Sequence, residues 1–179
     1  MKVTCLPLLA FLFTGIVVAQ DLRNTPAAKA ACGPVDTKFA TELVTPRQIS
    51  AAPDKAIIYV VQISDFDGHC AGLCGPIGNV GMDSKWIGAT QRNSFLTFPV
   101  MPGIHHLCAT WESRNKKLSQ LVTLNLLTAE PNKVYFFALN TISSTTQGGG
   151  AVQFSLTPIN EDEGRMLVSA YSESHATLK

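Results

Sequence analysis

Charge is scarce in this chain and neither sign of it predominates. Charged residues fill 15% of the 179 positions, with 14 Lys and Arg against 13 Asp and Glu. So even a balance gives no electrostatic drive toward phosphate backbones or anionic lipid, and argues against a nucleic-acid partner. The catalytic signatures are missing too. There is no H-E-x-x-H or H-x-H pair, no G-x-S-x-G elbow and no internal repeat, so zinc-protease, α/β-hydrolase and solenoid readings have no sequence support. No connection is long enough for a crossover helix between parallel strands, which argues against a βαβ architecture.

What the chain does have is apolar residues, at 46% of positions, which speaks for a packed core over disorder. The first nineteen read as an address. Lys2 supplies a positive charge, residues 6–19 (LPLLAFLFTGIVVA) are apolar, and Val17-Val18-Ala19 offer small residues before Gln20. This is the pattern of a cleaved signal peptide, too short to span about 30 Å of hydrocarbon comfortably. The expected product is exported, to a periplasm or to the outside, with no stable membrane insertion after cleavage. Its roughly 160 residues suffice for a single core that buries about 70% of the unfolded surface. Cleavage removes Lys2 and no acid, leaving 13 charges of each sign.

The cysteines fit that address. Cys5 leaves with the leader, and Cys32, Cys70, Cys74 and Cys108 remain, an even number in a compartment where disulfides persist. Four cysteines allow three pairings. The favoured one joins Cys70 to Cys74 as a local clip and Cys32 to Cys108 as a tie between an N-terminal arm and the sheet. No cysteine directly follows the apolar leader, so lipid attachment is not expected.

Residues 20–54 carry four prolines and lack periodicity, reading as an arm or linker with a helical turn near 38–43. From Lys55 onward, short β-type runs alternate with turn residues. The runs are 56–63 (AIIYVVQI), 77–82, 85–89, 93–100, 104–111, 118–127, 133–140 and 151–159. Asp83-Ser84 suits a tight hairpin turn, and 118–127 alternates Leu118, Gln120, Val122, Leu124, Leu126, with Leu121 and Leu127 out of step. Eight short strands in a domain spanning 55–160 predict an all-β antiparallel sandwich or barrel, with a sandwich of about 7–8 strands preferred. Residues 161–179 read as a short helix and tail, capped by Asn160 with Glu163 three positions on, and with Leu167, Ala170 and Tyr171 on one face.

Five segments then carry a family resemblance. They are the strand AIIYVVQI, the hairpin at Asp83, the turn and strand Pro102-Gly103-Ile104-His105-His106-Leu107, the run Asn132-Lys133-Val134-Tyr135-Phe136, and the close Leu156-Thr157-Pro158-Ile159-Asn160-Glu161-Asp162-Glu163-Gly164. In order and spacing the chain resembles the bacterial DUF2846 type of exported domain. That resemblance implies a PEGA-like β-sandwich, a place at the cell surface or envelope, and no established activity. Many such proteins carry a lipidation cysteine, which this chain lacks, and its four mature cysteines imply a subgroup with its own staple.

The candidate chemistry is thin. His69, His105 and His106, with the cysteines, are the residues able to ligate a soft metal. Adjacent His105 and His106 on a strand point to opposite faces, however. His105 is expected on the Leu107 face, hydrogen-bonded to backbone. The loop 64–74 holds Ser64, Asp65, Asp67 and His69, parts of a nucleophile–base system with no elbow to order them. A metal-binding protein or small hydrolase using that loop is the alternative. Strand aromatics belong to a core, but Trp111, beside a polar loop, is a candidate surface aromatic, as is His69 for surface binding. The sequence therefore predicts a non-catalytic, exported interaction module without cofactor or metal, its partner a protein or envelope component.

Overall fold

A computed structural model describes residues 32–34, 36–46, 53–64, 77–112, 121–146 and 149–179. It is a two-sheet β-sandwich. Among the described residues, ten strands form in order: β1 (Phe39–Val44), β2 (Ala56–Ser64), β3 (Ile77–Met82), β4 (Lys85–Thr90), β5 (Ser94–Val100), β6 (Gly103–Glu112), β7 (Val122–Ala129), β8 (Val134–Thr146), β9 (Gly149–Ile159) and β10 (Ser172–Leu178). A helix, α1 (Glu161–Ala170), precedes β10. The six-stranded sheet has the order β1-β10-β5-β2-β8-β9 and the four-stranded sheet β4-β3-β6-β7.

Strand identity follows from patterning. β2 lies in the middle of the larger sheet and is apolar on both faces. Ile58 and Val60 enter the core, while Ile57 and Val61 are buried on the far side. The core between the sheets adds Leu96, Phe98 and Val100 from β5, Phe137 and Leu139 from β8, Val80 from β3, Leu107 and Ala109 from β6, and Leu127 and Ala129 from β7. Within it, Thr90 Oγ1 lies 2.8 Å from Gln62 Oε1, linking the two sheets through buried side chains. At the β9 edge, the Leu156 N–H donates to Thr123 Oγ1 at 3.1 Å and the Asn125 amide donates to Leu156 O at 3.3 Å. Side chains of β7 thus satisfy backbone groups that an edge strand leaves open.

The expected all-β sandwich is what forms, and four details differ. The sandwich is mostly antiparallel, yet β2 pairs with β8 in parallel, as β10 does with β5. Between β2 and β8 the chain builds the second sheet, so strands supply the crossover that a helix supplies in βαβ units. The expected helical turn near 38–43 is strand β1, because Phe39 to Val44 finds a full antiparallel partner in β10. The expected C-terminal tail is β10 itself, with Glu173 and Ser174 buried and Ser174 Oγ donating to Ala89 O at 2.9 Å. Finally, the strand expected over 118–127 is Val122–Ala129, and residues 113–120 lie outside the described set.

The helix obeys its capping signal. The Asn160 side chain accepts the Glu163 N–H at 2.9 Å, and Glu161, Asp162 and Glu163 occupy the positive end of the dipole. Its contact face runs Gly164, Leu167, Val168 and Tyr171, with Ala170 exposed. Gly164 is demanded by closeness: a Cβ there would overlap the Phe136 ring. The glycine that lowers helix propensity is what lets α1 lie flat on the sheet.

Candidate functional site

The site is best built outward from the disulfide. Cys32 and Cys108 are joined across a sequence separation of 76, with Cα atoms 5.8 Å apart, within the usual range for a bridge. Sequence spacing alone did not dictate this pair, but it is the long-range tie that was favoured. Cys70, Cys74 and His69 lie outside the described residues, as does most of the loop 64–74 that the hydrolase or metal reading needs.

The bridge fastens a short arm, Cys32-Gly33-Pro34, across the outer face of the four-stranded sheet. Gly81 leaves the space, since a Cβ there would overlap the Cys32 carbonyl and stand 3.1 Å from Cys108 Sγ. The Trp86 indole closes over Gly33, whose φ of +153° few side chains tolerate, and its Nε1–H donates to Pro34 O at 2.9 Å.

Beyond this arm the same face is open. Residues alternate along β6 and β7, and their register sets Ile104 opposite Thr128, His106 opposite Leu126 and Cys108 opposite Leu124. The outward set includes Ile104 at 68% exposure, Leu126 at 62% and Leu124 at 46%. Leu124 and Leu126 of the alternating set therefore face solvent, Leu118 lies outside the described residues, and the out-of-step Leu127 enters the core. A groove of about 470 Å³ runs here, lined by Asp83, Ser84 and His106 on one side and Leu124 and Leu126 on the other, with Cys108 between them. A sheet face needs no exposed leucine for folding, so a stripe of them bordered by polar groups has the character of a contact surface.

The polar wall comes from the β3–β4 turn. Asp83 and Ser84 have φ of 50° and 64°, the left-handed pair of a two-residue hairpin, as the sequence indicated. Asp83 is bonded to β6 at three points. Its N–H donates to His106 O at 3.0 Å, its Oδ1 accepts the His106 N–H at 2.9 Å, and its Oδ2 lies 2.7 Å from His105 Nδ1. His105 Nε2 lies 2.7 Å from Met101 O. His105 sits on the Leu107 side, bonded to backbone as expected, while His106 is exposed in the groove. Partial burial alone would raise the Asp83 pKa, but hydrogen bonds from His105 and the His106 N–H outweigh it and hold the carboxyl below its ordinary value. The Asp83 hydrogen bond raises the His105 pKa above its ordinary value; partial burial opposes this, and the Met101 carbonyl adds to the rise.

Other candidates stand differently. Trp111 is corrected: it is only 2% exposed and meets Phe154 with ring centroids 5.9 Å apart. Period-two geometry places it on the face of Leu107 and Ala109, so it is a core residue and no surface platform. Among the described residues no group of three His, Cys, Asp or Glu could hold a metal ion. A cleft of about 350 Å³ separates α1 from β2 and β8. Its one charged lining residue, Arg165, is paired with Glu161 at 2.7 Å. No helix among the described residues is long and apolar enough to cross a membrane. Compared with family models, curated proteins and solved structures, the chain matches none.

Proposed function

We propose that this chain is an exported, non-catalytic β-sandwich module that docks an extended, apolar segment of a partner protein along the outer face of β6 and β7. The observation that carries this reading is the exposed stripe of Ile104, Leu124 and Leu126 beside a groove with a polar wall. The outward residues of β6 and β7 recur at two-residue spacing along this face, a period that suits the alternating side chains of an extended segment laid across it. The leader-like residues 1–19 and the buried disulfide support an oxidising destination. The resemblance to the DUF2846 type points the same way, toward the cell envelope.

Selection of extended eight-residue peptides on the purified protein tests the docking surface. The expected binders alternate apolar and polar residues, and lose at least tenfold in affinity, about 1.4 kcal/mol, against Leu124→Lys/Leu126→Lys. Both positions are exposed, so the variant should keep the parent circular dichroism and melting curve. Binders indifferent to that change, or no enrichment at all, would remove the assignment.

A further inference from the structure

The bonds made by His105 carry a consequence for the groove. Its two ring nitrogens each face an acceptor at 2.7 Å, a carboxylate oxygen of Asp83 and the carbonyl of Met101. A neutral imidazole has one N–H and one lone pair. Either neutral tautomer therefore sets a lone pair against an acceptor, and only the imidazolium donates to both. The His105 side chain is 14% exposed and that of Asp83 43% exposed, so water reaches the carboxylate more readily than the ring, and a lone pair facing an acceptor weakens the bond on that side.

Of the elements held by these two bonds, one lines the groove and the other leads into the exposed Ile104 beside it. One bond fixes the β3–β4 turn, whose Asp83 and Ser84 line it. The other fixes Met101, at the turn that leads into Ile104 on β6. We infer that His105 is a protonation-dependent latch: as the imidazolium it donates to both turns and braces the groove wall, and loss of its proton breaks one of the two bonds and loosens that wall, while Asp83 keeps its two bonds to the His106 backbone. This inference rests on the reading of the groove as a docking surface.

Among the described residues, the charged groups that act on the latch are few. From the β3–β4 turn comes Asp83. Next along β6 is His106, on the opposite strand face, whose charge favours the Asp83 carboxylate. The β5–β6 turn supplies only the Met101 carbonyl, and β7 sets Leu127 opposite His105. The linkage has two limbs. The His105 pKa is raised, so its stabilisation is complete below the ordinary histidine value and is lost as pH rises through the folded value. The Asp83 pKa is lowered, so its contribution is present above the ordinary carboxylate value and disappears as pH falls through the folded value. The latch is closed between these limits and opens on the alkaline side through His105.

Nitrogen-detected NMR of the histidine rings in the unmodified protein, followed across the neutral range, tests this without any partner. His105 should be doubly protonated to a higher pH than an ordinary histidine, and the amides of Ser84 and His106 should shift and exchange severalfold faster with the His105 midpoint. A His105 that loses its proton below the ordinary histidine value would overturn the latch. So would Ser84 and His106 amides that ignore its titration. If the amides follow His105 while the peptide selection yields no groove-dependent binder, the latch stands and the docking assignment falls. If selected peptides bind the groove equally on both sides of the midpoint, docking stands and the latch is overturned as its regulator.

Discussion

Replacing Cys32 and Cys108 together by alanine is expected to cost about 4 kcal/mol and to lower Tm by roughly 10–15 °C. The estimate follows from the loop closed by the bridge, whose ends are 76 residues apart in sequence. Opening so long a loop returns conformational freedom to the unfolded chain. Losing two buried side chains adds to the cost, since Cys32, Cys108 and Val122 pack together beneath Trp86. The native arm has other attachments, namely the Pro34 bond to Trp86 and the pairing of β1 with β10. The variant should therefore fold to the same sandwich and simply melt earlier. Calorimetry and denaturant titration of both proteins would measure this. A loss under about 1 kcal/mol would mean that the bridge restrains little, and that the arm is held by its packing alone.

The second large effect separates two leucines that lie on neighbouring strands. Leu107→Ala is expected to destabilise by about 3 kcal/mol, and Leu126→Ala by no more than about 0.5 kcal/mol. Leu107 is fully buried among the core residues, whereas Leu126 is 62% exposed. A one-residue slip of β7 would exchange the faces of Leu126 and Leu127, so the pair of values reports on register as well as burial. Urea unfolding of the two variants gives both numbers. Comparable losses would show that Leu126 is covered in the folded protein and would withdraw the stripe from the surface.

Much of the sandwich was legible because its central strands combine β-branched and aromatic runs with turn residues between them. The run at β2 and the Asp83-Ser84 turn gave signals that needed no tertiary context. β1 and β10 were illegible for the opposite reason. Ser-Glu-Ser-His at 172–175 is polar, and it becomes strand only because β1 and β5 lie on either side of it. Propensity yields there to partners distant in sequence. The same limit governs the site. The alternation of Leu124 and Leu126 was visible, but the face it occupies depends on pairing with β6. The juxtaposition of Asp83 with His105 depends on the register that sets Met82 opposite Leu107, which no local pattern encodes. Trp111 was misplaced because it lies near a strand end, where nearness to a polar loop suggested exposure and strand parity decided otherwise.

The central claim is that a face of this sandwich, and no catalytic loop, meets the partner. Its most direct test is photo-crosslinking in cells that express the protein, with a benzophenone side chain at position 126 and a control at the exposed Met166 of α1. The account predicts a discrete adduct from position 126 alone, mapped to an extended apolar segment of one protein and abolished by Leu124→Lys. Equal adducts from both positions, or a position-126 adduct insensitive to Leu124→Lys, would contradict it.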